Sequence, residues 1–309
     1  MRALLLLAFG GPRSLDEVEF LLTRLFKKKP SPDVLERVIE RYRLIGGRSP
    51  LPEITYSQAR ALENKLKENG YRFKSYVGMR YGHPLIEETL DRILREGILE
   101  IVALPMTPLR SPESTGAYVE ELNRVIERTK GLFRLLCIEG WHLHPLFLEA
   151  VREKIREGLL EFAAEDRKKV HLIFTAHSLP KSMIENDLYV EDMRASVKGV
   201  LKGMESFSWR IAYQSKGAGP GEWIGPDVES VLAELAGQNV KEALIVPIGF
   251  VSDHIEILYD IDMLYQKKAA SLGMVLKRTQ SLNVSEKFIE ALADTVEEHL
   301  KRAWGVQSL

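Results

Sequence analysis

A single cysteine, Cys137, in 309 residues excludes an internal disulfide and any cysteine-built metal cluster within the chain. It lies in the apolar run Phe133–Ile138, where a small core residue is the expectation. Neither sign of charge is in excess. Lys and Arg total 43 against 44 Asp and Glu, a net charge of −1, so there is no electrostatic footprint for nucleic acid. Long hydrophobic runs are also missing: Leu4–Leu7 is too short for a secretion-signal core or a membrane span, and no other stretch approaches spanning length. Together these absences lead us to expect a reducing, cytoplasmic setting, with any membrane contact peripheral, at the inner membrane. Nucleotide fingerprints are absent too. Gly10-Gly11-Pro12 is a turn, and neither Gly-x-Gly-x-x-Gly nor a Walker A loop occurs. Asn and Gln are scarce beside Lys, Arg and Glu, a composition that leans towards heat tolerance.

What is present is an alternation of short, branched apolar runs with amphipathic stretches, the pattern of parallel sheets covered by helices. Strands are expected at Ala3–Phe9, Phe73–Met79, Glu100–Met106 and Phe133–Glu139, then at Val170–Ala176, Trp209–Gln214, Ala243–Val251 and Met274–Arg278. Helices fall between them, among them Ser57–Asn69, Pro84–Glu96, Leu146–Glu165 and Pro226–Ala236. The halves read as a diverged repeat: Glu100–Pro105 matches Glu242–Pro247, and Ala8–Pro12 matches Ala176–Pro180. The second pair is spaced more widely than the first, so the first half carries an insertion, placed at about 15–52. The expected architecture is α/β: two Rossmann-like, doubly wound domains, each with a parallel four-stranded sheet, facing a central cleft. Their ranges are 1–145 and 146–284, with a C-terminal helix over 285–309 packing back on the first. Ligands in such sheets bind beyond the carboxyl ends of the strands, which directs attention to the residues just after each strand.

His177 stands at such an end, in Thr175-Ala-His-Ser-Leu-Pro180. On position alone it reads equally as a functional side chain over the cleft or as a structural histidine bonded to a loop. Its ordinary pKa suits both proton transfer and metal ligation. After a later strand, Ser252 or Asp253 can cap a helix, and Asp253, Glu256 and Asp260 then share one face. Capping and the helix dipole account for Asp253 and partly for Glu256, but not for Asp260, a turn deeper. A carboxylate stripe there suits a divalent cation or a proton relay. Three features are weaker: the pair His142 and His144, the Gly10–Pro12 turn, and the loop 217–225 with Trp223 in it.

Taken together, Tyr42–Pro50, Gly78–Pro84, Thr175–Pro180, Tyr213–Lys216, Trp223–Pro226 and Pro247–Tyr259 resemble the ferrochelatases, in order and along nearly the whole chain. The resemblance implies two Rossmann-like domains clasping a porphyrin, with His177 and Glu256 at the metal. It implies insertion of Fe²⁺ into protoporphyrin IX, giving protoheme and two protons, with His177 accepting a pyrrole proton or helping to hold the metal, and Glu256 and Asp260 relaying protons and lowering the cost of the desolvated cation. By the same resemblance Arg80 and Ser215 lie near the propionates, Trp223 lies against the ring, and Phe9, Arg43 and Tyr81 complete the substrate-binding set. No cofactor beyond the substrate iron is expected. The C-terminal iron–sulfur extension of animal relatives is missing, so no such cluster is expected either. Two positions depart from the family pattern. Phe9 stands where relatives carry Tyr or Met, and Leu264 stands where many continue the acidic row. Leu15, Val18, Leu21, Leu22, Leu25 and Phe26 form a helical stripe followed by Lys27–Lys29, with Phe20 off the stripe. In relatives that use protoporphyrin this segment is an apolar lip, so weak contact with an anionic membrane is expected and the lip is assigned to Phe20 and Leu21. The competing readings are a coproporphyrin ferrochelatase, a cobalt or nickel tetrapyrrole chelatase, a non-catalytic tetrapyrrole or heme carrier, and a two-lobed protein binding a small anion. The oligomeric state is left open.

Overall fold

The computed structural model describes residues 1–129, 131–184, 188–217 and 221–306. Two parallel four-stranded sheets organise it. The first contains β1 (Arg2–Ala8), β2 (Phe73–Met79), β3 (Glu100–Pro105) and β4 (Arg134–Cys137) in the order β2-β1-β3-β4. The second contains β5 (His171–His177), β6 (Trp209–Gln214), β7 (Glu242–Val246) and β8 (Val275–Arg278) in the order β6-β5-β7-β8. The two orders are the same when the second set is laid over the first, in step with the sequence repeat. β1 and β5 are central and buried on both faces, which is why they read as continuous apolar runs and not as alternations.

Alternate residues of each strand separate cleanly to the two faces of its sheet. Leu5, Leu7, Ile101 and Ala103 pack under α4 (Ile86–Arg95) and α5 (Ala117–Arg128) in a core private to the first half. Ile173, Ala243 and Ile245 do the same under α8 (Val228–Gly237) in the second half. The opposite faces meet in one shared core: Leu4, Leu6, Val102 and Leu104 from one sheet, Leu172, Phe174, Leu244 and Val246 from the other. Between them lie α3 (Leu51–Glu68), α6 (Pro145–Leu159), α7 (Tyr189–Leu201) and α10 (Glu286–Trp304). Helix α10 packs on both α3 and α6, so it belongs to the seam between the halves and not to the first alone. Residues 307–309 of the expected C-terminal helix lie outside the described residues.

Several boundaries differ from the sequence expectation for identifiable reasons. β7 stops at Val246 because Pro247 has no N–H to give the ladder. α3 begins six residues earlier than expected, at Leu51, with Pro52 in its first turn where a missing N–H costs nothing. α6 ends at Leu159 and not near 165; Arg167 then donates to the carbonyls of Leu160 and Phe162, which fold the chain back. Among the described residues one α-helix, α7, connects β5 to β6, whereas β1 reaches β2 through α1 (Val18–Phe26), α2 (Pro32–Leu44) and α3. The extra pair α1 and α2 is the insertion. It forms a small apolar layer of Val18, Leu21, Leu22, Tyr42 and Tyr81, against which Ile255 of the second half also packs. Between β7 and β8 lie a π-helix (Glu256–Tyr265) and α9 (Gln266–Ser271).

Candidate active site

His177 is the last residue of β5, where the strand meets solvent at its carboxyl end. Its backbone is fixed on both sides: the Tyr189 hydroxyl donates to the His177 carbonyl at 3.0 Å, and Ser178 N donates to Gln214 O at 2.8 Å. The loop after β7 crosses directly over β5. Gly249 N donates to Thr175 O at 3.0 Å, and a Cβ at Gly249 would lie 2.6 Å from that of Ala176, so only glycine allows this approach. The crossing delivers the start of the π-helix to His177. Glu256 Oε2 lies 2.8 Å from His177 Nδ1, and Gln214 Nε2 donates to Glu256 O at 2.9 Å.

Electrostatics follow from this pairing. Burial pulls the His177 pKa down, but the Glu256 charge and hydrogen bond outweigh it, and the value is raised. For Glu256 burial pushes up, yet His177, as a charge and as a hydrogen-bond partner, brings the pKa below the usual carboxylate range. The pair therefore rests as imidazolium and carboxylate. One step along the π-helix, Asp260 is buried and its pKa is pushed up to about 6 by desolvation, against the lowering hydrogen bond from Ser215 Oγ and with Glu256 adding repulsion. His254, which the sequence reading passed over, faces the same pair, with Nε2 4.0 Å from Glu256 Oε2. Burial lowers its pKa despite Glu256. Its Nδ1 lies 3.0 Å from the Ser252 carbonyl, which can only accept; Nε2 of the neutral ring is then the free lone pair. The signal for His254 was its place two residues before Glu256 within the motif.

The three carboxylates expected on one helix face part company. The segment is π-helical, not α-helical, and Glu256 and Asp260 stay together on the cleft side. Asp253 precedes the helix without capping it. It accepts from Ser281 Oγ at 2.7 Å and Asn283 Nδ2 at 2.8 Å, with Arg278 at 3.4 Å, and so is a structural anchor. The acidic row ends at Asp260: Asp262 is turned to Arg278, and one turn on stands the exposed, apolar Leu264.

On the first half, Phe9 follows β1 as His177 ends β5, and it is 44% exposed with its ring 4.6 Å from that of Tyr81. Arg80 lies over the Tyr81 ring at 5.0 Å, and its carbonyl accepts from Arg24 Nε at 3.2 Å. Trp223 is held beside the end of β5: it bridges to Pro180, and a Cβ on Gly217 would come within 2.6 Å of its ring. Residues 218–220 of that loop lie outside the described residues. Ser215, which the resemblance puts near the propionates, has φ +59° and donates to Asp260. Arg43 is exposed and paired with Glu40, whereas Arg41, two residues earlier, stacks over Tyr259 of the π-helix at 5.2 Å. The lip assignment also changes. Leu21 is buried in the inserted layer and Phe20 stacks on His83 at 4.7 Å; the exposed apolar residues of α1 are Leu25 and Phe26. His142 is buried beside Asp192, which Arg110 grips with both Nε and Nη2, so it is structural. A separate hollow of about 730 Å³, lined by His171, Arg194, Lys198, Trp209 and Arg210, lies at the opposite ends of β5 and β6 from His177.

The Ferrochelatase family model matches residues 1–300. The chain is similar to the ferrochelatase of Geotalea daltonii, 40% identical over 95% of this chain and 96% of that protein, and to that of Deinococcus radiodurans, 36% identical over 95% and 94%. It is also similar to the coproporphyrin III ferrochelatase of Oceanobacillus iheyensis, 34% identical over 96% of each. Among solved structures it superposes on SirB from Bacillus subtilis with Fe³⁺ at a TM-score of 0.63, 13% identical and covering 100% of this chain and 99% of that one, a likeness of fold. The chain belongs to the ferrochelatase family, enzymes that insert a metal ion into a tetrapyrrole.

Proposed function

We propose that this enzyme inserts Fe²⁺ into protoporphyrin IX, releasing two protons and leaving protoheme. The observation that carries the reading is the half-buried His177–Glu256 pair with the buried Asp260 next along the same helix. Two pyrrole N–H protons must leave as the metal enters, and they need acceptors inside the cleft. At rest His177 carries a proton because Glu256 stabilises it. An incoming dication within a few ångströms opposes that charge, lowers the imidazole pKa and drives the proton out. The neutral ring then accepts a pyrrole proton, and Glu256 and Asp260 pass it outward. A carboxyl that titrates at about 6 takes and releases protons near neutral pH, which an ordinary aspartate does not. Phe9, Tyr81 and Trp223 supply flat apolar surface for the macrocycle, and Arg80 offers a fork for a propionate. Ser215 acts through Asp260. Metal and porphyrin are both substrates, and no resident cofactor takes part.

Protoporphyrin, with two propionates and otherwise apolar edges, suits the apolar surface that α1 and α2 expose at Leu25, Phe26 and Leu44, which we take as the cleft mouth. Such a mouth, with Lys27 and Lys28 beside it, also suits a cytoplasmic enzyme that touches the inner membrane where a hydrophobic porphyrin resides. The test is absorbance under reducing conditions with Fe²⁺ and either protoporphyrin IX or coproporphyrin III. Faster turnover of protoporphyrin is expected. Faster turnover of coproporphyrin III reassigns the substrate, and no heme from either overturns iron insertion.

A further inference from the structure

The amino ends of β5 and β6 carry a second concave surface, remote from the chemistry. His171 starts β5 and His177 ends it, which puts them about 20 Å apart along the strand. Around that start lies the hollow of about 730 Å³, a size that suits a cofactor-sized ligand. Three cations line it: Arg194 and Lys198 of α7 and Arg210 of β6. Trp209 and Phe207 supply flat apolar wall, and Trp209 is 36% exposed.

The charges set this surface apart. The chain as a whole is balanced, and on α6 the balance is also local, since Arg152 and Arg156 both hold Glu149. On α7, by contrast, Arg194 and Lys198 stand four residues apart, where like charges repel. Among the described residues neither has a carboxylate partner. Arg210 has Glu234 of α8 at 3.4 Å, but that carboxylate also accepts from Gln238 Nε2 at 3.0 Å. The hollow therefore holds three cations against one acid. His171 shows a second unmet need. Its side chain is buried, and its Nε2 makes no hydrogen bond. Burial and the nearby Arg210 lower its pKa, so the ring is neutral and adds no charge of its own. A polar group of a ligand entering the hollow would give Nε2 a partner.

Concavity, charge and ring surface together select the ligand. Cations set round a hollow suit a small molecule better than a membrane or another macromolecule. Three of them in one pocket match the dense charge of a phosphate chain, which Arg grips with two N–H groups and Lys meets as a point charge. The exposed face of Trp209 fits a flat ring by stacking. We propose that this hollow binds a phosphorylated compound with a flat ring, of the nucleotide class, with Arg194, Lys198 and Arg210 on the phosphates and Trp209 against the ring. Side chains, and not a glycine-rich loop, hold the phosphates, so the missing nucleotide fingerprints do not bear on this site.

The test is calorimetric titration of the full chain with ATP, inorganic pyrophosphate and adenosine. ATP is expected to bind most tightly, pyrophosphate less so and adenosine least. Arg194→Gln with Lys198→Gln, both at exposed positions, should lower the affinity for ATP and for pyrophosphate at least about tenfold, with Tm unchanged. Trp209→Thr should weaken ATP but not pyrophosphate. No binding of ATP at about 1 mM overturns the proposal. Binding that the double substitution leaves intact overturns it equally, since the nucleotide would then lie on another basic surface. ATP affinity untouched by Trp209→Thr overturns the ring contact. Porphyrin turnover enters none of these readouts, so the result stands apart from the reading of the active site.

Discussion

Asp260 ties function and stability together in a single side chain. Its carboxyl titrates at about 6 in the folded chain against an ordinary 3.8, chiefly because burial penalises the charge. Below 3.8 both folded and unfolded chains hold the proton. Between 3.8 and about 6 the folded chain keeps a proton that the unfolded chain has lost, so the contribution to stability falls as pH rises and stays low above 6. Asparagine cannot ionise and keeps the bond to Ser215. Asp260→Asn is therefore expected to gain about 2 kcal/mol over the parent on going from pH 4 to pH 8, measured by urea unfolding, while its turnover falls and the limb of the rate profile near pH 6 disappears. An unchanged pH dependence of stability would mean that Asp260 ionises freely in the native chain. At this scale much was legible: His177 and Glu256 were marked by strand-end position and motif. The bond from Ser215 to Asp260 was not foreseen, because the partner lies 45 residues away on another element. The stacking of Arg41 on Tyr259 was not foreseen either, since two residues on a helix turn a side chain by roughly 200° and sequence does not say which face meets the π-helix.

The elements were read best where burial is simplest. β2 and β6 have the expected limits, and the central β1 and β5, covered on both sides, stand out as unbroken apolar runs. The π-helix was not legible: carboxylates at 253, 256 and 260 fit an α-helical face, and only the crossing of the loop over β5 shows that Asp253 is turned to Arg278. The inserted pair α1 and α2 shows the same limit. Its apolar stripe was plain, but the stripe is mostly internal packing, with Leu21 and Leu22 buried and Leu25 and Phe26 left outside. Lys29 is partly spent on Glu19 at 2.9 Å, which leaves Lys27 and Lys28 for an anionic surface. Leu25→Glu with Phe26→Glu should therefore reduce both salt-sensitive binding to anionic vesicles and turnover of protoporphyrin, leaving Tm nearly unchanged. Vesicle binding unaffected by these changes, or absent in the parent at low salt, would remove the membrane role from α1.

At the scale of the whole molecule, the repeat foretold two like sheets but not that they share a core. Amphipathic patterning shows that a face is buried without naming its partner, and here the partner of one half is largely the other. Besides the grip of Arg110 on Asp192, the seam carries a fully buried polar rivet. Gln58 of α3 is fully buried, and its Nε2 donates to Ser252 Oγ at 2.9 Å and to the Asn283 carbonyl at 2.8 Å. Asn283 in turn holds Asp253 through both its side-chain amide atoms, accepting from the Asp253 backbone N–H and donating to its carboxylate. This network connects α3 of the first half to the loop that sets Glu256 against His177. Leucine at position 58 would fit the volume but leave Ser252 and Asn283 without their donor in a dry interior. Gln58→Leu is expected to cost about 2 kcal/mol in urea unfolding, from the unsatisfied groups. Because the same loop carries Glu256, kcat should fall as well, with the KM for porphyrin little changed, since Phe9, Tyr81 and Trp223 rest on other supports. A loss of stability with kcat intact would show that the seam merely joins the halves and that the loop keeps Glu256 in place without it.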